Sequence, residues 1–297
     1  MLYSQIDSNK RKSFILIFVF VMIILLLGWL FGKLTNYGYN GLIIAVIISI
    51  GMSLVGYYSG DKIALTTAGA KKIEKNDNPY VYRMIENLCI TAGLPTPQVY
   101  LINDGAINAF AAGRDPKHAS IAITTGAIEK LENEELEGVI AHELSHIKNF
   151  DIRLMTLVVI LVGTAILLSN WFSRGLFFGG GRSRSQKDGG VNGILMIIGL
   201  ILIILAPLIA QLIKLAISRK REFLADASGT LLTRYPTGLA NALEKIKLEN
   251  QPLQRASNAT AHLYISNPFG SKRNSLMKLF NTHPPIEERI VALRKMM

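Results

Sequence analysis

Four apolar runs, Phe14–Phe31, Gly41–Tyr57, Leu154–Ser169 and Gly193–Ile217, limit what this chain can fold into more than any other feature. A helix needs roughly 17 to 25 mostly apolar residues to cross the hydrocarbon layer of a bilayer, where no water satisfies an exposed backbone. The first two runs and the last meet that length; Leu154–Ser169 reaches it only with Asn170–Phe172 at the interface. Half of the 297 residues are hydrophobic even before glycine is counted, more than a soluble domain usually carries. The first run follows Lys10-Arg11-Lys12, as a signal peptide would. Its apolar stretch is longer than the usual one and no small-x-small cleavage site stands out, so it reads as a retained anchor.

A net charge of +11 would suit a polyanionic partner. The basic residues instead border the apolar runs: Lys10, Arg11 and Lys12 before the first, Lys62, Lys71 and Lys72 after the second, Arg219, Lys220 and Arg221 after the fourth. That is the positive-inside pattern, which places these flanks and both termini in the cytoplasm and predicts no nucleic-acid partner. The connection between the later runs carries Arg174, Arg182, Arg184 and Lys187 against Asp188, too basic for an outside loop. Either the rule is broken there or the later pair is a shallow hairpin. Cys89 is the only cysteine, so an intramolecular disulfide and a cysteine-based zinc site are both excluded. It reads as a small buried hydrophobe in a reducing cytoplasm.

The runs divide the chain into an N-terminal membrane hairpin (1–58), a first soluble part (59–152), a second membrane hairpin (153–217, spans about 154–172 and 193–217) and a second soluble part (218–297). Pro79–Gly93 has the pattern of an amphipathic helix, with Val81, Met84, Ile85, Leu88 and Ile90 among its apolar positions. Pro97–Ile102, Ile107–Ala111 and Ile121–Thr125 read as short strands of a small sheet. A strand ending at Gly113 is a candidate edge strand, able to hold an extended peptide by main-chain hydrogen bonds. The expected class is therefore α+β, mainly helical, in a multi-span membrane protein. Ser173–Asn192, centred on Gly179-Gly180-Gly181, reads as a flexible loop and lacks the Lys-Ser/Thr ending of a phosphate-binding loop.

Chemistry concentrates in His142-Glu143-Leu144-Ser145-His146. Histidines four apart on a helix share a face and can reach one metal ion, and the glutamate between them can touch a water at that ion. Acidic residues in Glu132–Gly138 support the helix through its dipole. A catalytic zinc takes a third protein ligand and keeps one position open. Glu222 is the candidate: two apolar runs separate it from His146, so the chain returns to the face it left, and Glu222 stands just beyond Ile217. Asp226, one turn on, is placed to fix the tautomer of a ligand histidine. Asp151 is ambiguous between pairing with Arg153 and ending the metal helix. In such a site Glu143 takes a proton from the attacking water and passes it to the leaving nitrogen. His283, before Pro284-Pro285, is a candidate donor to the oxyanion. His118 and His262 have no partner pattern and read as surface or packing residues.

Together these residues resemble the HtpX family of bacterial membrane zinc proteases and, more distantly, the CAAX prenyl proteases. The likeness rests on the early hairpin, Asn108-Ala109-Phe110-Ala111, the H-E-L-S-H motif, Glu222–Asp226 and the tail from Thr282-His283-Pro284-Pro285 to Arg289-Ile290. It implies a gluzincin-like catalytic domain with one Zn2+ per chain held by His142, His146 and Glu222, and Glu143 as general base. It also implies that His283 and Arg289 line the site, that His283 helps stabilise the transition state, and that Asn108 to Ala111 form the substrate-binding edge strand. The implied role is quality control in the bacterial cytoplasmic membrane, cleaving misfolded or damaged membrane proteins and unfolded polypeptides at the cytoplasmic face. An intramembrane zinc protease is disfavoured, because Glu132, Glu134, Glu135 and Glu137 precede the motif and would be costly in lipid. A non-catalytic zinc-binding membrane scaffold is the alternative from another class; it would have no use for Glu143.

Overall fold

The computed structural model describes residues 2–34, 38–164, 219–270 and 284–296. Helices α1 (Leu2–Leu34) and α2 (Asn40–Thr67) form the N-terminal hairpin. One face of α1 buries Leu16, Phe20 and Ile24 against Leu154, Leu157, Val158 and Leu161 of helix α6 (151–164). Its other face, and much of α2, presents Phe14, Phe18, Ile47, Ile50 and Leu54 outward. Among the described residues α2 is the one helix that meets the length and hydropathy of a bilayer crossing. The expected second hairpin is described only to residue 164, and its run 193–217 lies outside the described residues.

Helix α2 continues past its apolar run and packs Ala64 and Leu65 onto Phe110, Ala112 and Ala122 of a four-stranded sheet. The strands are β1 (Lys71–Lys72), β2 (Gln98–Ile102), β3 (Ala109–Gly113) and β4 (Ala119–Thr124), in the order β1-β2-β4-β3. β2 and β4 are parallel and the other neighbours antiparallel. The fold is thus mainly helical with a small mixed sheet. β1 has no sequence signal, being two lysines drawn into line by β2. β3 starts later than the apolar pattern suggests, because Asn108 turns its side chain onto its own backbone. Its Oδ1 accepts from the Ala109 N–H at 3.1 Å, while its own N–H donates to Thr124 Oγ1 at 3.0 Å.

Helix α3 (Pro79–Ala92) begins where Asn78 Oδ1 accepts the Val81 N–H and ends at Gly93, which adopts φ +69°. Its buried stripe is Val81, Ile85, Leu88 and Cys89, and Ile90 falls off that stripe into solvent. The short helix α4 (Thr125–Lys130) follows β4 and is capped by Thr124. Helix α5 (Asn133–Lys148) then runs through the centre, buried from Gly138 to Ile147. Three more helices complete the described fold: α7 (Arg219–Thr233), α8 (Pro236–Glu249) and α9 (Ile286–Arg294). Leu136, Val139, Ile140 and Leu144 of α5 share one core with Ile121 and Ile123 of the sheet, Leu239 and Leu243 of α8, and Leu293 of α9. Helices α5 and α8 cross with backbones touching: a Cβ on Gly138 would lie 2.7 Å from the Leu239 nitrogen.

Candidate metal centre

Helix α5 is secured at its first turn, where the Glu135 carboxylate accepts the Glu132 N–H at 2.9 Å. From there the 3.6-residue period turns His142 and His146 to one side, with their Nε2 atoms 3.2 Å apart. Helix α7 crosses directly above. A Cβ on Gly229 would stand 3.0 Å from the His142 nitrogen, so this approach depends on a residue without a side chain. The approach places Glu222 Oε1 3.6 Å from His146 Nε2 and Glu222 Oε2 3.9 Å from His142 Nε2.

These distances suit a metal ion. Ligands bound tetrahedrally at about 2.0–2.1 Å stand roughly 3.3 Å from one another. The three donors lie within 4.8 Å of one another and all are buried. Two imidazoles and one carboxylate form a donor set suited to zinc. The outer ring nitrogens are held as well: His142 Nδ1 is 2.9 Å from Asp226 Oδ1, and His146 Nδ1 is 3.0 Å from Asp151 Oδ2. Each carboxylate accepts a hydrogen bond from the Nδ1–H, which turns the Nε2 lone pair toward the shared point. Glu143 Oε1 is buried and has no hydrogen-bond partner among the described residues, as expected of a group whose partner is a bound water or substrate.

The electrostatics agree. Burial pushes His142 down to about 4, against the pull of Asp226, so it stays neutral and able to donate its lone pair. Burial also acts to lower His146, but Asp151 and Glu222 outweigh it and hold the ring at about 9; the carboxylates around it favour positive charge at this point. Glu143 is pushed up to about 7 by burial, with His146 opposing and Glu222 reinforcing the shift. Asp226 would be raised by burial, yet Arg289 and His142 hold it at about 2.

Arg289 on α9 has no exposed surface. Its Nε and Nη2 donate to Asp226 at 2.9 and 2.7 Å, Nη1 donates to the Ile265 carbonyl at 3.0 Å, and it lies 3.7 Å from Glu222 Oε2. It backs the His142–Glu222 side of the cluster, with Nη2 3.5 Å from the His142 ring nitrogens. His283 lies outside the described residues.

β3 is the edge strand of the sheet, but its outward groups are engaged. The Ala109 carbonyl accepts the Ile265 N–H at 3.0 Å, the Ala111 amide faces the Glu143 carboxylate, and the Gly113 N–H donates to Thr156 Oγ1 at 3.0 Å. Asn108, Ala109, Phe110 and Ala111 are all buried. A peptide laid along β3 has to exchange with these contacts. His118 pairs with Asp115 at the surface and His262 bonds the Met155 carbonyl, both away from the metal centre.

Asp151 is the site residue that spacing leaves undecided. Phe150, at φ +58°, breaks the helix between α5 and α6 and folds Asp151 back beneath His146. A five-residue separation puts the two on different faces of a continuous helix. The only sequence signal is the polar Asn149 before the break.

A buried His-His-Glu set with a glutamate between the histidines, on a helix backed by a small sheet, defines an H-E-x-x-H metallopeptidase centre. The model of Peptidase family M48 matches residues 75–297. The chain belongs to peptidase family M48 and is a metallopeptidase. It is 46% identical to the Protease HtpX homolog of Caldanaerobacter subterraneus subsp. tengcongensis, over 99% of this chain and 98% of that protein. It is likewise 45% identical to the Protease HtpX homolog of Tropheryma whipplei (strain Twist), over 100% and 99%. Among solved structures, Ste24p of S. mikatae superposes with a TM-score of 0.51 at 18% identity, covering 98% of this chain and 67% of that one. At that identity the likeness concerns the fold alone.

Proposed function

We propose that this chain is an integral-membrane zinc endopeptidase that cleaves misfolded or damaged membrane proteins at the cytoplasmic face of a bacterial cell membrane. The observation that carries the reading is the convergence of His142 Nε2, His146 Nε2 and Glu222 on one buried point beside the unpartnered Glu143 Oε1. In the proposed arrangement those three residues hold the ion, the hairpins 1–58 and 153–217 anchor the enzyme, and 59–152 with 218–297 form the protease domain. The outward apolar faces of α1 and α2 support a bilayer setting.

When bound, zinc supplies a Lewis acid that acidifies water and polarises the scissile carbonyl. Glu143 accepts the proton of the attacking water at its free oxygen and delivers it to the departing amide nitrogen. Asp226 and Asp151 keep the two imidazoles oriented throughout. Arg289 offsets the charge of Asp226 and Glu222, and His283 is assigned to the oxyanion. The substrate is held extended along Asn108 to Ala111, displacing the partners that now occupy β3.

Metal content and cleavage of an unfolded model protein, compared between wild type and Glu143→Gln in detergent, test this. About one zinc per chain in both, with turnover lowered at least about 100-fold in the variant, is expected. Cleavage at the wild-type rate would remove Glu143 from its role. Equal zinc with cleavage by neither protein would favour a zinc-binding scaffold.

A further inference from the structure

The metal centre extends into the N-terminal helix. Asn9, in the N-terminal turns of α1 ahead of its apolar run, is 1% exposed and lies where three parts of the fold meet. Its Nδ2 donates to Asp151 Oδ1 at 2.7 Å and to the Asn149 carbonyl at 2.9 Å. Its Oδ1 accepts from Arg221 Nη1 at 3.4 Å. Arg221 precedes the proposed ligand Glu222 and stands 3.7 Å from the same Asp151 oxygen. The opposite oxygen of Asp151 holds His146 Nδ1.

We propose that Asn9 is a positioning residue for the metal centre, acting through Asp151 on His146, so that the membrane hairpin is a working part of the active site as well as its anchor. The physical case is one of saturation. A buried carboxylate that must keep one oxygen on an imidazole needs donors on the other, or it rotates to find them. Arg221 approaches that oxygen only at 3.7 Å, whereas Asn9 meets it at hydrogen-bond distance. Asn9 also ties Asp151 to the carbonyl of Asn149, which bridges the break at Phe150. Displacing α1 would release Asp151 and leave His146 free to turn. The side chain must donate, so an aspartate of the same shape cannot serve: it would set two carboxylates against each other across 2.7 Å.

This inference rests on the proposed zinc site. Full-length wild type, Asn9→Ala, Asn9→Asp, Asp151→Asn and the double variant Asn9→Ala/Asp151→Asn are compared for zinc affinity by chelator competition, with Ser13→Ala as control. Ser13 is buried one turn along the same helix and bonds only the Asn9 carbonyl among the described residues. Loss of a carboxylate behind a metal-bound histidine weakens binding about 10- to 100-fold, so Asp151→Asn should fall in that range. Asn9→Ala should weaken binding several-fold, Asn9→Asp at least as much, and Ser13→Ala not at all. In the Asp151→Asn background, Asn9→Ala should add nothing, since the residues act in series. Additive losses, or wild-type affinity in Asn9→Asp, would overturn the proposal. If Asn9→Ala fails to fold, Asn9→Asp and the control decide. Wild type that binds no zinc would instead overturn the site itself.

Discussion

Arg289 is an arginine with no exposed surface, and its position explains how two carboxylates, Asp226 and Glu222, can sit side by side in one buried interior. Asp226 takes two of its N–H groups in a forked arrangement and Glu222 lies 3.7 Å away. Replacing it by methionine keeps the volume of the stem and strands Asp226. Breaking a buried pair from one side costs about 3–5 kcal/mol. Arg289→Met should lose stability of that order in denaturant unfolding and bind zinc more weakly; an unchanged unfolding midpoint would show that Asp226 is satisfied elsewhere. Cys89 makes a contrasting case. Burial, with Glu86 adding to it, pushes its thiol up to about 11, so the thiolate is disfavoured in the folded chain. Iodoacetamide at pH 8 should label it slowly until denaturant is added, and stability should decline as pH rises above the unfolded thiol value near 8.5. Rapid labelling of folded protein would contradict its burial.

Among the elements, the crossing of α5 and α7 decides whether there is a site at all. Glu222 and Asp226 reach His142 because Gly229 lets one helix backbone rest on another. Added methyl groups would meet the backbone of α5, which has no rotamer to yield. Overpacking of this kind costs about 1–3 kcal/mol. Gly229→Val should therefore lower both thermal stability and zinc occupancy, with Gly229→Ala intermediate; a valine variant with full zinc would show that the crossing is slack. The sheet contributes differently. β3 is the edge strand, but Ile265 and Thr156 engage it, so the proposed substrate pairing would require local opening rather than simple addition of a strand.

At the scale of the whole molecule, the hairpin, the sheet and the α5–α7 pair form one connected object. Helix α2 shares a core with the sheet, and α1 reaches the metal centre through Asn9. Binding to the folded form alone stabilises by mass action, about 2.7 kcal/mol when free ligand is 100 times the dissociation constant. Protein stripped by a chelator should stay folded, because Arg221 and Arg289 already oppose Asp151, Glu222 and Asp226. Its unfolding midpoint should rise as zinc is titrated back. A midpoint indifferent to zinc would mean that the three donors do not hold the ion.

The apolar segments, the helix that carries H-E-L-S-H, and the histidine pair with its intervening glutamate were legible along the chain, because these depend on local period and residue type. The sequence also pointed to Glu222 and Asp226, since the two apolar runs between His146 and Glu222 and a helical spacing of four are countable along the chain. Asp151 and Asn9 were not legible there. The first depends on one left-handed residue, Phe150, and the second on packing between positions separated by 142 residues. Arg289 was reachable only through family resemblance, for its partner Asp226 is 63 residues away. The contacts behind the two histidines and Glu222 arise from tertiary packing alone, because hydrogen bonds to a buried carboxylate are set by whichever helices the fold brings alongside.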